Sequence, residues 1–175
     1  SRKNKKSVKS EIVNFFEDSK LEIETDDTSL IINYRCPQPI CDYSNLLYPD
    51  LPKSNSGNNQ ITGHDGLFLL SVEHLDHYLD KYNPIQLRDS IKTVVNENFQ
   101  ALNFGKSKGL TRERVVIYPS GPMIKWFKNN DADISRAARA KLYVALTRGK
   151  HSVAIIMEDS DLKKTQGLPI YYPDF

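Results

Sequence analysis

The sequence predicts a three-layer α/β domain built on a mostly parallel sheet, and two patterns carry that expectation. Continuous apolar, β-branched runs at 67–72, 114–118 and 152–157 read as strands buried on both faces. Amphipathic stretches at 73–82 and 134–147 alternate with them and read as covering helices. With 175 residues, 39% hydrophobic and 26% charged, the chain fits one globular domain over 1–175. Residues 1–6 and 160–175 are expected to be flexible or peripheral.

Taken in order, Val8, Ile12, Val13, Phe15 and Phe16 recur at helical spacing and predict a helix over 6–18. The run 29–33 reads as a short buried strand. Pro39 suits the first turn of a helix reaching Leu47. Residues 53–66, rich in Ser, Asn and Gly without a hydrophobic period, read as a loop. A strand at 67–72 is followed by a helix on Leu75, Tyr78, Leu79 and Tyr82. Further strands are expected at 91–95 and 114–118, the second preceding a helix that packs Ala137, Leu142, Tyr143, Ala145 and Leu146 on one side. The run 152–157 is the last strand.

Composition excludes several classes. No run approaches 18 apolar residues, so a membrane-spanning helix is not expected. The basic start, Ser1 to Lys6, has no apolar segment behind it of the kind a secretion signal needs, and it reads as a linker. Cys36 and Cys41, spaced C-x4-C without a second pair, read as buried free thiols in a cytoplasmic protein and not as a zinc site. A net charge of +2, from 24 basic and 22 acidic residues, requires any nucleic-acid binding to rest on a local patch.

Three segments place charged or permissive residues at the ends of elements, where ligands of open α/β sheets collect, usually beyond the carboxyl ends of strands. Asn33-Tyr34-Arg35 offers a flat ring and a planar cation. The stretch from Asn103 to Thr111 interleaves two glycines, Gly105 and Gly109, with lysines and hydroxyls. Its Gly105-Lys106-Ser107 imitates the tail of the phosphate loop, but position 100 is Gln and a strand follows instead of a helix, so that loop is absent. Lys141 to Lys150 closes the amphipathic helix, with Arg148 placed either to cap its last carbonyls or to meet a ligand. His74 and His77 lack a third ligand at matching spacing, and Glu158-Asp159 reads as a solvated strand end, so no metal site is expected.

Order and content together give these segments a family likeness. Leu30 to Pro37, with Ile40 and Ser44-Asn45, resembles motif IV of the UvrD/Rep/PcrA group of superfamily 1 helicases (L-x-x-N-Y-R-S). Ser107-Lys108-Gly109-Leu110-Thr111 with Val115 resembles motif V (S-K-G-L-E-F-x-x-V). Leu142 to His151 resembles motif VI (L-Y-V-A-L-T-R-A-R-x), in the right order and over most of the chain.

The resemblance implies the second, C-terminal RecA-like core domain of an ATP-dependent DNA helicase or translocase. It implies that Tyr34 stacks on adenine and that Arg35 and Arg148 reach the γ-phosphate as arginine fingers. Gly109 and Thr111 would approach the nucleotide, and Asn103, Phe104, Ser107 and Lys108 would follow a DNA single strand. ATP with Mg²⁺ would be bound jointly with an N-terminal RecA-like domain of the same polypeptide, without which this half would be inactive. Neither a metal held by this chain alone nor a membrane is implied.

The chain departs from the pattern at four places. Thr111 stands where motif V usually has Glu, Phe104 stands where a DNA-contacting His is common and would either stack on a base or simply pack, and the run Arg136 to Lys141 before motif VI keeps basic character without the usual acids. Only about seventy residues separate motifs IV and V, so the usual large insertion is missing. A degenerate RecA-like module that binds nucleic acid or protein without motor activity is the alternative.

Overall fold

The computed structural model describes residues 31–174. The helix expected over 6–18, the basic start and Ser29-Leu30 lie outside the described residues. Five strands form a parallel sheet: β3 (Gly66–Ser71), β4 (Ile85–Arg88), β5 (Ala101–Asn103), β6 (Arg112–Tyr118) and β7 (Gly149–Met157), in the spatial order β3-β7-β6-β4-β5. Helices cover both faces, so the domain is three-layered, as expected.

Alternation along the strands builds two cores. Leu67, Leu69, Val115, Ile117, Val153 and Ile155 face one side. There they meet Ile40 and Cys41 of α1 (Gln38–Asn45), Met123, Trp126 and Phe127 of α3 (Gly121–Lys128), and Leu142, Ala145 and Leu146 of α4 (Arg136–Leu146). Leu70, Val116, Ala154 and Ile156 face the other side, against Tyr78 and Leu79 of α2 (Leu75–Tyr82) and Tyr171. Period-two alternation on strands buried from both sides is what makes their sequences read as unbroken apolar runs.

Local chemistry sets the boundaries. Ser135 caps α4 by accepting from the Ala138 amide at 3.2 Å, and Pro39 occupies the first turn of α1. Asn83, at φ 45°, closes α2. A short helix α5 (Asp159–Leu162) follows β7, and residues 168–172 return along β3, where Leu69 exchanges backbone hydrogen bonds with Pro169 and Tyr171. The tail beyond 160 is thus peripheral and anchored to the sheet edge.

Three expectations are corrected. The run 91–95 is loop, with Ile91 and Val94 74% and 88% exposed; the strands beside it are β4 and β5. Buried Gln86 interrupts the apolar pattern of β4 because its side chain pins that loop, bonding the Asn96 and Phe99 carbonyls, the Asn96 amide and the Tyr118 hydroxyl. Helix α3 was not anticipated, since Gly121-Pro122 resembles a turn and here supplies the helix start. Of the buried strand expected at 29–33, the described residues form only the two-residue β1 (Ile32–Asn33), with Ile32 exposed, which pairs outside the main sheet with β2 (Asn55–Ser56). The stretch 53–66 is therefore organised, and Asn45 brackets Ser54 through its amide and carbonyl at 2.9 Å each.

Candidate functional site

The side-chain carbonyl of Asn33 accepts the amides of Arg35 and Cys36 at 2.9 and 3.0 Å, turning the chain sharply after β1. That turn throws Arg35 across to the other two segments. Its Nε donates to the Thr111 hydroxyl at 2.8 Å and one terminal nitrogen donates to the Thr147 carbonyl at 3.0 Å. Thr147 ends α4. Arg148 folds back on that helix end, donating to the Val144 carbonyl at 2.9 Å, the Leu110 carbonyl at 3.2 Å and the Thr147 hydroxyl at 3.4 Å.

Both arginines therefore grip Thr147, one by its carbonyl and one by its hydroxyl. Burial holds the Arg148 guanidinium below its ordinary range, and the positive charge of Arg35 adds to the effect. Neither makes an ion pair among the described residues. Two close, unneutralised guanidiniums are an electrostatic arrangement that an anion relieves.

An open cleft of about 630 Å³ lies against Arg35, lined also by Asn33, Tyr34, Thr111, Tyr143 and Lys150. No carboxylate is among its described lining residues. The Tyr34 ring is 73% exposed and lies over Gly57, where a Cβ would come within 2.6 Å of it. A flat ring beside cations, with no acid among the described lining residues, suits a ligand with an aromatic base and phosphates.

The cleft opens at the amino ends of β6 and β7, beside Arg112 and Gly149, and not at the carboxyl ends, where the general rule for open α/β sheets directed attention. Thr111 and Arg148 sit on turns entering strands, and Tyr34 and Arg35 on the turn leaving β1.

The second predicted group is divided. Asn103 ends β5, and Lys108 is exposed. Phe104 is 1% exposed, packed in the core under α4, so its ring is not presented to a base. Ser107 is 2% exposed and its hydroxyl is engaged by the Phe104 carbonyl at 2.7 Å. Burial of Phe104 fits the packing alternative, and neither of these two side chains presents itself to a nucleic-acid strand in this structure. Gly109, at φ +81° with open space around it, is glycine because of its backbone angle. Thr111 presents its hydroxyl to Arg35.

Elsewhere, Cys36 and Cys41 are free and fully buried, as expected, and desolvation pushes their thiols up to about 11 and about 12. Glu158 and Asp159 are both exposed, as the solvated reading expects, and Asp159 also accepts from the Ser71 hydroxyl at 2.7 Å. No cluster of three potential metal ligands occurs among the described residues, and no helix there is long and apolar enough to cross a membrane. Lys150 and Tyr143, both inside the motif VI-like segment, and Gly57 and Asn58 complete the cleft or support it, a part the sequence does not assign to any of them.

No family model matches the chain, and no curated protein matches it. Among solved structures, the methylated PRRSV nsp10 helicase is similar over 80% of this chain and 26% of that one, at 20% identity and a TM-score of 0.48. Another structure of the PRRSV helicase is similar over 81% and 26%, at 21% identity and a TM-score of 0.48. The C-terminal domain of a possible DNA helicase from Lactobacillus plantarum WCFS1 is similar over 72% of this chain and 88% of that one, at 12% identity and a TM-score of 0.45. The chain spans about a quarter of the length of the viral helicases it matches.

Proposed function

We propose that this chain is the C-terminal core domain of an ATP-dependent DNA helicase or translocase. It supplies Arg35 and Arg148 to the γ-phosphate of a nucleotide held mainly by a neighbouring domain. The observation that carries the reading is the meeting of Arg35, Thr111 and Arg148 around Thr147, beside a cleft that also holds Tyr34. These residues come from the three segments that resemble motifs IV, V and VI, and nothing in their local sequences requires them to touch.

Neither a phosphate loop nor a metal-ligand cluster occurs among the described residues, so Mg²⁺ and most nucleotide contacts fall to a second domain, while the cleft of this chain holds phosphate oxygens weakly by itself. The chain's own contribution is electrostatic. The terminal nitrogens of Arg35 and Arg148 not engaged by carbonyls donate to the phosphoryl oxygens as charge develops there. Tyr34 receives the base on its exposed face. Asn103 and Lys108 serve a single strand of DNA, and closure of the cleft on ATP shifts one domain against the other along it.

The test is DNA-stimulated ATP hydrolysis by the polypeptide that carries both core domains. Arg35→Ala and Arg148→Ala each lower turnover by about a hundredfold or more. Wild-type turnover in either variant removes that residue from the phosphate role. The 175 residues alone show no DNA-stimulated hydrolysis, and a robust rate from them overturns the proposal.

A non-motor binding module is the second reading. It is favoured by the inward docking of Arg148 on three oxygen atoms and by the burial of Phe104 and Ser107. Under it, both arginine variants leave hydrolysis unchanged.

A further inference from the structure

β7 does not run in simple register with β6. Arg112 pairs with Gly149, yet Arg114 pairs with Ser152, so Lys150 and His151 together oppose Glu113. This is a β-bulge, which bends a strand and redirects the side chains on it. Gly149 opens the bulge, and a Cβ there would stand 2.6 Å from Val153 Cγ2 and 2.8 Å from the Ser152 carbonyl oxygen. The second contact is with backbone and cannot be relieved by a side-chain rotation, so the tight bulge requires glycine at this position.

The carbonyl of Lys150 has a dedicated partner. Asn58 Nδ2 donates to it at 2.8 Å and to the Arg35 carbonyl at 2.6 Å. One side-chain amide thus ties the turn that carries Arg35 to the bulge that carries Lys150. Asn58 is itself held, its amide donating to the Ser56 hydroxyl at 3.0 Å. The Lys150 ammonium makes no hydrogen bond or ion pair with any described residue, and Lys150 lines the cleft together with Arg35.

We infer that Lys150 is a further phosphate-binding residue of this cleft, aimed by the Gly149 bulge and positioned by Asn58. The inference rests on the reading of the cleft as a polyphosphate site and adds a residue to it. Arg35 and Arg148 each give donors to protein carbonyls, whereas the Lys150 ammonium has all three free for ligand oxygens. A flexible point charge at the cleft wall adapts to whichever phosphate Arg35, the arginine that lines the cleft, leaves exposed.

The experiment is a titration of the isotopically labelled chain with sodium tripolyphosphate, followed by amide shifts, for wild type, Lys150→Met and Lys150→Arg. Wild type gives a saturable shift at Arg35, Lys150 and neighbouring amides. Lys150→Met keeps native amide dispersion, because the ammonium touches no described residue, and binds about three- to tenfold more weakly. Lys150→Arg restores most of the affinity. Equal affinity in wild type and Lys150→Met overturns the role of Lys150 and leaves the cleft reading standing. Failure of wild type to show a saturable shift at these residues overturns both.

Discussion

Arg35 donates through Nε to the hydroxyl of Thr111 at 2.8 Å, across 76 residues of sequence. In the pattern this chain resembles, a glutamate stands at position 111, and a carboxylate there would neutralise the guanidinium. The threonine hydroxyl orients Arg35 without cancelling its charge. Thr111→Val removes that hold and lowers affinity for tripolyphosphate about two- to tenfold, the worth of one hydrogen bond, while Thr111→Ser retains it. Amide-shift titration of the two variants checks the difference.

The Tyr34 ring rests on the open face of Gly57, where a methyl group has no room. Gly57→Ala displaces the ring and weakens binding of ATP several-fold. Binding of tripolyphosphate, which carries no base, is unchanged. Equal losses for both ligands argue against a stacking role for Tyr34.

Gly149→Ala drives a methyl group against the Ser152 carbonyl and Val153. The expected cost is about 1–3 kcal/mol, in the range of overpacked or strained core positions. A urea denaturation midpoint lowered without a change in slope is the signature. An unchanged midpoint shows that the bulge can shift to admit the methyl.

His64 sets an acid limit on stability. Its ring is sandwiched between Phe68 and Tyr82, with centroids 4.3 and 4.1 Å away, and its Nε2 shares a hydrogen bond with the Tyr78 hydroxyl at 2.9 Å. Burial, reinforced by the Arg114 charge and only partly opposed by Asp65, brings its pKa down to about 4 from the ordinary 6.5. Between those values the unfolded chain binds the proton and the native chain does not. Stability contributed by neutral His64 is therefore present above pH 6.5, falls as the pH drops toward 4, and levels off below it. Urea midpoints at pH 7 and pH 5 differ for the wild type, and His64→Gln narrows that difference.

Cys36 and Cys41, fully buried with raised thiol pKa values, resist iodoacetamide in the native protein at pH 8. Mass spectrometry shows both alkylated only once the chain is unfolded. Rapid native labelling at either residue contradicts the packing of α1 on the sheet.

What the sequence made legible follows from where side chains meet solvent. Strands β3, β6 and β7 are buried on both faces, so their residues carry no conflicting demand and their apolar runs stand out. β4 escaped notice because Gln86, buried on one face, serves the neighbouring loop through hydrogen bonds that no local pattern encodes. The same division governs the cleft. Tyr34, Arg35 and Arg148 were visible because each stands in an ordered motif. Lys150 stands in the same motif as Arg148, but its aim into the cleft, like the part played by Asn58, depends on a register slip in β7 and on a contact 92 residues long. Phe104 occupies a motif position where a DNA-contacting His is common, and only the fold decides between stacking on a base and packing, since its ring fills the core.

Asn58 fixes where this domain can be cut or extended. The chain before it is tethered to Arg35, and from Thr62 onward it is held through Asp65 and Arg114. Residues 59–61 between them are exposed, Ile61 by 90%. A foreign domain spliced into that three-residue window leaves the cleft intact, whereas the same splice a few residues earlier separates the two cationic walls.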